Sequence, residues 1–292
     1  MSAPETIVVT GATGHLGRLV LAELLRIAPK ARLVGTARNA DAAKDLAARG
    51  VEIRTADYTN PASLATALAG ADKVLLISAN VVGQRVAQHR NVVDAAKSAG
   101  VKLIGYTSIL RADTSPMGLA VEHLATEKYI RSSGVPFVFL RNSWYTENYT
   151  GSIAAAVQHG VVLGAARNGR ISAAARADYA AAAAVVLAGD VKSHAGKIYE
   201  LAGDSAFTMS EYAAEVSRQS GKAVAYQDMP EADYKAALAG FGLPEPVAAM
   251  LAESDAKAAG DSLYDAGRAL SQLIGRPTTP LAATVTGALA AL

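Results

Sequence analysis

Short apolar runs alternate with helix-like stretches through the first half of the 292-residue chain. The runs are almost continuously apolar, as in Val74-Leu75-Leu76-Ile77, which is typical of parallel strands covered on both faces. The predicted strands are Thr6–Val9, Arg32–Thr36, Glu52–Thr55, Lys73–Ile77, Lys102–Thr107 and Phe137–Leu140. The predicted helices are Leu16–Ile27, Ala40–Ala48, Pro61–Ala69, Gly83–Ala99 and Leu119–Ser132. This order predicts an α/β fold with a Rossmann-like, doubly wound parallel sheet and right-handed crossovers.

The pattern changes after residue 141. Glycines and aromatic residues interrupt residues 142–176, which we predict to be loops with a short helix. The remainder is predicted to be mostly helical, with Tyr179–Leu187 as a helix and Ile198–Leu201 and Val224–Gln227 as strands. We therefore predict a Rossmann domain of residues 1–141 plus about 177–204, and a smaller substrate-binding lobe of about 142–176 plus 205–292. We expect the lobe to frame a cleft at the carboxyl edge of the sheet.

A glycine-rich turn, Thr10-Gly11-Ala12-Thr13-Gly14-His15-Leu16-Gly17, stands between the first predicted strand and the first predicted helix. Gly11 permits the tight turn, Gly14 lets the backbone approach a pyrophosphate, and Gly17 lets the helix pack close to the strand. The free N–H groups and positive dipole end of the helix favour an anion. The alternative is a turn without a ligand. We predict a dinucleotide site with contacts from Gly11, Thr13, Gly14, His15, Leu16 and Gly17.

Three further positions refine this cofactor prediction. The second strand ends with Arg38 and lacks the acidic residue that holds the ribose of NAD, so we predict NADPH through a contact to its 2′-phosphate. The alternative is a solvated loop arginine. Asp57 is a candidate acceptor for the adenine amino group, or else a turn or helix-capping residue before Pro61. Ser78 ends the fourth strand, where small residues let a cofactor lie against the sheet. No second fingerprint suggests a flavin, so hydride would pass directly to the substrate.

Composition narrows the chemistry. The chain has no cysteine, which excludes disulfides, thiolate zinc sites, iron–sulfur clusters and a cysteine nucleophile. Its five histidines lack metal-binding spacing, and a net charge of +2 without a basic stripe disfavours nucleic acid. The first residues do not resemble a secretory signal, and the alanine-rich runs are broken by charges before they reach membrane-spanning length. We therefore expect a soluble cytoplasmic protein without a metal.

A tyrosine is missing where ordinary alcohol chemistry needs one. Short-chain dehydrogenases use Tyr-x-x-x-Lys to move the hydroxyl proton. Lys128 is suitably placed here, but Leu124 stands four residues before it, and Tyr106 and Tyr129 have the wrong spacing. A quinone needs this proton donor less than a ketone does, because the hydroquinone anion is a weaker base than an alkoxide. The absence of the tyrosine equally fits a nucleotide sensor without catalysis.

The run Leu140–Tyr149 leaves the sixth predicted strand and contains the only tryptophan, Trp144. We expect it to lie near the nicotinamide end of the cleft. Its aromatic faces and amide groups could stack on a flat acceptor and orient it. The alternative is that Trp144 and Tyr149 are core contacts between the lobes.

Several blocks resemble the NmrA-like group of atypical short-chain dehydrogenases. They are TGATGHLG, Arg38-Asn39, Ala56-Asp57-Tyr58, Tyr106–Lys128, LRNSWYTENY, Tyr199–Thr208 and Leu273–Thr279. Within the group, the chain is most similar to the bacterial type 2 NAD(P)H:quinone oxidoreductases. The resemblance implies a bilobed fold and an NADPH-dependent, flavin-free, two-electron reduction of quinones.

The resemblance also implies site residues. Cofactor contacts are expected from the glycine-rich turn, from Arg38 and Ser78, and from Asn142, Ser143, Trp144, Tyr145, Thr146 and Glu147. Asn148 resembles the polar residue of the quinone pocket, so the catalytic candidates are Asn148, Lys128, as a ligand of the nicotinamide ribose, and Tyr145. Related activities leave two alternatives: a reductase of another conjugated acceptor such as a triphenylmethane dye, and an NADPH-binding redox sensor that binds a partner protein. A homodimer stays open as an alternative to a monomer.

Overall fold

The computed structural model describes residues 4–292, which form two compact units. The first unit runs to Ala112 and includes Glu122–Asn142 and Arg176–Glu200. The second comprises Asp113–Val121, Ser143–Ala175 and Leu201–Leu292. The expectation about a secretory signal falls partly on residues 1–3, which lie outside the described residues.

The strands lie close to the predicted positions, and two of them, in the second unit, stand apart from the main sheet. They are β1 (Thr6–Val9), β2 (Arg32–Ala37), β3 (Glu52–Thr55), β4 (Lys73–Leu76), β5 (Leu103–Ile109), β6 (Phe137–Asn142), β7 (Val161–Gly164), β8 (Ile198–Leu201) and β9 (Ala225–Asp228). The main sheet has the order β3-β2-β1-β4-β5-β6-β8. Its pairs from β3 to β6 are parallel, with Val8 opposite both Val34 and Val74. The predicted doubly wound sheet is confirmed.

The helices also follow the predicted alternation. They are α1 (His15–Ile27), α2 (Lys44–Ala48), α3 (Pro61–Ala67), α4 (Arg85–Ser98), α5 (Gly118–Ser133), α6 (Glu147–Thr150), α7 (Ile153–His159), α8 (Arg176–Ala188), α9 (Val191–His194), α10 (Met209–Ser220), α11 (Glu231–Gly240), α12 (Glu245–Ala258), α13 (Ala269–Ile274) and α14 (Leu281–Ala290). The predicted helix Ala40–Ala48 begins instead with a 3₁₀ turn, Ala40–Ala43, because the Asn39 side chain accepts the N–H of Asp41 and tightens the chain there. No helix of residues 4–292 is both long and apolar enough to cross a membrane.

The core of the first unit lies between the sheet and its covering helices. On one face, Val74, Tyr106 and Phe139 pack with residues of α3, α4 and α5, including Leu64 and Ile130. On the other face, α1 and α8 pack against each other and α8 contacts β4 and β5. Helices therefore cover both faces, which explains why the strands are apolar throughout.

The second unit contains a strand pair that was only half predicted. Strand β9 agrees with a predicted strand, but the prediction of loops with one short helix for residues 142–176 is wrong at β7. The two strands pair in parallel, with Val161 opposite Ala225. A four-residue strand whose partner lies about sixty positions away has little local signal of its own. Helices α11 and α12 pack against each other beside this pair.

Candidate functional site

A cavity of about 300 Å³ opens in the first unit, where four strands end. Its lining residues are Gly11, Thr13 and Gly14 after β1; Thr36, Ala37 and Arg38 at the end of β2; Ala56, Asp57 and Tyr58 after β3; Ile77, Ser78, Ala79, Asn80 and Val81 after β4; and Gln88. The sheet order reverses between β1 and β4, and open α/β sheets bind ligands at such a point. Six predicted cofactor residues therefore line one cavity: Gly11, Thr13, Gly14, Arg38, Asp57 and Ser78.

The turn after β1 is shaped for an anion. Gly11 has φ +61°, which favours glycine, and the N–H of Gly14 donates to the Gly11 carbonyl at 3.0 Å. Helix α1 begins at His15 with Gly14 as its cap, so no side chain there accepts the N–H groups of the first turn. The first turn also has no acidic residue. The positive end of the helix is therefore available to a phosphate.

Gly17 lets α1 pack closely against this turn. A Cβ at Gly17 would lie 2.4 Å from the carbonyl oxygen of Gly11, closer than real contacts allow. Leu16 is buried beside it, whereas His15 is exposed at the start of the helix. Leu16 and Gly17 thus shape the turn without lining the cavity, and only their N–H groups are suited to the predicted phosphate contact.

Asp57 lies in the cavity wall with Arg38. Its Oδ1 accepts the N–H and the hydroxyl of Thr59, at 2.8 and 2.7 Å. Both hydrogen bonds lower the pKa of Asp57, the one from the N–H of Thr59 having the larger effect, and the charge of Arg38 lowers it further. Asp57 therefore stabilises a turn, while the cap of α3 is Asn60, whose side chain accepts the N–H of Ser63. A contact from Asp57 to adenine stays a prediction.

The segment after β4 is held by residues that the sequence analysis missed. The N–H of Ala79 donates to Nε2 of His89 at 2.9 Å, and the Ala79 carbonyl accepts from Nε of Arg85. Burial lowers the pKa of His89 to about 3, so the ring is neutral and its Nδ1 donates to Thr126. Tyr58 donates to the carbonyl of Ile77 at 2.9 Å. The sequence did contain one signal for these two residues: Arg85 and His89 are one helical turn apart, so they share a face of α4.

Lys128 is exposed on α5, and its neighbour Glu127 is the buried residue. Glu127 accepts two hydrogen bonds from Arg141, at 2.9 and 2.7 Å, and one from Ser108 at 2.6 Å. Arg141 also donates to Glu200 at 2.8 Å. This network joins β5, α5, β6 and β8. The role of Lys128 as a ribose ligand stays a prediction.

Asn142, the last residue of β6, has a side-chain oxygen that is buried without a hydrogen-bond partner among the described residues. Such an oxygen is costly unless a ligand supplies the donor. Asn142 therefore fits its predicted place as a ligand-binding residue.

A second cavity, of about 590 Å³, lies within the second unit. Trp144, Asn148 and Tyr149 of the predicted aromatic run line it, together with apolar residues of α7, β7, α11 and α12. Tyr149 also packs edge-on against Phe207 at 5.6 Å, so it is a core residue of this unit as well as a cavity residue. Asn148 is exposed. A flat, apolar ligand with polar atoms at its edge is the chemistry that such a lining suits.

Ser143, Tyr145 and Thr146 of the same run are not among the residues that line the second cavity. Ser143 and Thr146 are buried, and their N–H groups donate to the carbonyls of Leu201 and Ala174. Tyr145 is half-buried, and the structure does not place it among the residues lining either cavity. The second cavity also has polar lining residues that were not predicted, among them Tyr234 and Asp255.

The family model of NmrA-like proteins matches residues 3–281. The chain belongs to the NmrA-like family. This NmrA-like chain is 54% identical to quinone oxidoreductase 2 of Escherichia coli strain K12 over 279 residues, which cover 96% of this chain and 97% of that protein.

Two solved structures are similar over nearly the whole NmrA-like chain. One is the NADPH-dependent quinone oxidoreductase of Escherichia coli complexed with NADPH, with a TM-score of 0.93, 53% identity, and coverage of 97% of this chain and 99% of that one. The other is the Citrobacter sp. triphenylmethane reductase complexed with NADP(H), with a TM-score of 0.91, 38% identity and the same coverage. The predicted family is thereby confirmed.

Proposed function

We propose that this chain is an NADPH:quinone oxidoreductase that transfers a hydride from NADPH to a quinone without a flavin. The observation that carries the proposal is its 54% identity, over almost all of both chains, to quinone oxidoreductase 2. The two cavities supply what this reaction requires: a phosphate-binding turn in the first unit, and an apolar space with an amide side chain in the second.

The residues of the first cavity fit NADPH. The uncapped N-terminus of α1 would hold the pyrophosphate, and Arg38 would hold the 2′-phosphate through its guanidinium. The unpartnered oxygen of Asn142 would accept an amide hydrogen of the nicotinamide. When bound, NADPH supplies the hydride.

The residues of the second cavity fit the acceptor. The indole of Trp144 offers a face on which an aromatic ring can stack, and the amide of Asn148 can donate to a quinone oxygen. Orientation of a flat ring by these two groups lowers the entropic cost of hydride transfer. Because Leu124 stands where an acid–base tyrosine is expected, the reaction favours an acceptor whose reduced form is a weak base.

The test is anaerobic oxidation of NADPH by the purified protein, followed in a single turnover with and without 2-methyl-1,4-naphthoquinone. We expect rapid oxidation only with the quinone. Tight binding of NADPH without oxidation that depends on quinone would refute the proposal and favour the redox-sensor alternative.

Asn148 is tested with a matched variant. Asn148→Ala should lower kcat/KM for the quinone about tenfold, because one hydrogen bond to the quinone is lost. It should leave the Kd of NADPH unchanged. Asn168→Ala, at an exposed asparagine of the same unit, is the control and should behave as wild type. Equal activity of both variants would remove Asn148 from the site.

A second candidate activity is the reduction of a triphenylmethane dye. The similarity to the Citrobacter reductase favours it, and a cavity of about 590 Å³ offers room for three aromatic rings. Loss of malachite green colour with NADPH, compared with quinone reduction by kcat/KM, decides which acceptor is preferred. A homodimer stays a prediction, which light scattering during gel filtration tests.

A further inference from the structure

Asp255 is a buried carboxyl group in the wall of the apolar cavity of the second unit. It lies on α12 and is 8% exposed. Its Oδ2 accepts the N–H of Ala165 at 2.5 Å, directly after β7. The carboxyl group lies so close to this strand that a Cβ at Gly164 would be 2.7 Å from Oδ2. Its position is therefore fixed by the backbone.

The surroundings of Asp255 favour its protonated form. Burial raises the pKa of Asp255 to about 6, and the carboxylate of Asp228 on β9 adds to this rise. The N–H of Ala165 acts in the opposite direction and offsets part of it. No lysine or arginine among residues 4–292 forms an ion pair with Asp255, so no positively charged side chain compensates its buried negative charge.

The other titratable groups facing Asp255 are two phenols and an imidazole. Tyr226 on β9 donates its hydroxyl hydrogen to Asp228 at 2.9 Å. Tyr234 on α11 has its pKa raised by burial and by the charge of Asp255. His159 of α7 is exposed at the cavity wall. Both phenols stay neutral near pH 7, which leaves Asp255 as the buried acid of this cavity that titrates near pH 6.

We propose that Asp255 is the acid of the quinone site: in its protonated form it donates a hydrogen bond to a quinone oxygen, and after reduction it gives that oxygen its proton. This inference rests on the proposed quinone reductase activity. It assigns to the second cavity the proton donor that Leu124 cannot supply from α5.

Hydride transfer oxidises NADPH by two electrons and reduces the quinone to a hydroquinone monoanion. The O–H bond of the Asp255 carboxyl group breaks, and a new O–H bond forms on the anionic oxygen. The electron pair of the broken bond stays on the Asp255 carboxylate, which takes a proton back from water. Transfer is favourable because a phenolic oxygen has a pKa of about 10, above that of Asp255.

The first test measures binding without NADPH. Trp144, the only tryptophan, lines the cavity, so its fluorescence reports binding of 2-methyl-1,4-naphthoquinone. We expect wild-type affinity to fall about tenfold between pH 5 and pH 8 with a midpoint near 6, because the carboxylate cannot donate to the quinone. 2-Methylnaphthalene, which lacks the oxygens, should bind equally at all pH values. A flat profile for the quinone in the wild type would overturn the proposal without any variant.

The second test uses Asp255→Asn, whose amide keeps an acceptor for the N–H of Ala165 and a donor for the quinone but has no acidic proton. We expect it to bind the quinone independently of pH, to lower kcat at least tenfold and to leave the Kd of NADPH unchanged. Asp233→Asn, at an exposed aspartate of α11, is the matched control and should keep the wild-type profile.

The outcomes separate the two claims. If the wild type does not oxidise NADPH with the quinone, the proposed function fails. If the wild type is active and Asp255→Asn keeps both its rate and its pH profile, only the role of Asp255 fails.

Discussion

Gly17→Ala tests whether the glycine turn is held by the close approach of α1. The new Cβ would lie 2.4 Å from the oxygen of Gly11 and 3.0 Å from Cα of Ala12. An ordinary contact begins at 3.4 Å, so the helix and the turn must separate by roughly 1 Å, and both contacting groups are backbone.

The magnitude follows from two opposing effects. Overpacking of this kind costs about 1–3 kcal/mol, whereas replacing glycine by alanine within a helix returns about 1 kcal/mol. We expect a net loss of up to about 2 kcal/mol in the free energy of unfolding. Because the displaced Gly11 lines the first cavity, NADPH binding should also weaken, by at least tenfold.

The assay is urea unfolding followed by circular dichroism, together with titration of NADPH. Gly287→Ala in α14 is the matched control, since a Cβ there meets nothing within 4 Å. It should gain about 0.5–1 kcal/mol from helix propensity and keep the wild-type affinity. If Gly17→Ala is as stable as Gly287→Ala and binds NADPH normally, close packing at Gly17 is not required.

Three other predictions concern charge and protonation. Arg38→Ala should weaken NADPH binding about 10–100-fold and leave NADH binding unchanged; equal losses in titration would refute a contact to the 2′-phosphate. A histidine in the unfolded chain takes up a proton near pH 6.5, whereas folded His89 does so only near pH 3. The contribution of neutral His89 to the free energy of unfolding is therefore complete above pH 6.5, and it falls by about 1.4 kcal/mol for each pH unit below that value. His89→Gln should reduce this acid slope in urea unfolding, and an unchanged slope would contradict it. Glu127→Gln, which leaves Arg141 short of a buried partner, should cost about 3 kcal/mol by the same assay; a loss under 1 kcal/mol would show that Glu200 suffices.

Much of the first unit could be predicted because its signals are local. The strand and helix order and the glycine turn depend on residues close together in sequence. Gly50, Gly70, Gly100 and Gly134 stand one or two residues past the predicted helices, and all four have positive φ. The ends of the elements were predicted less accurately. Strand β5 continues two residues beyond the predicted Thr107, because pairing with β6 extends it to Ile109.

The second unit was harder to predict because its contacts are distant in sequence. Strand β7 exists only through its pairing with β9. The second cavity combines Asn148 with Asp255, more than a hundred positions later. From the sequence, Asp255 is one acidic residue among several on a helix, and its burial and raised pKa depend on β7 and β9.

The alternating α/β order, the dinucleotide turn and the family can each be recognised without a structure, because each depends on short contiguous motifs. Three features depend on long-range packing: which residues share a cavity, the burial of Glu127 beside an exposed Lys128, and the place of the Asp255 carboxyl group in a largely apolar cavity wall. Burial and proton affinity are set by neighbours from other elements, and local periodicity does not specify those neighbours.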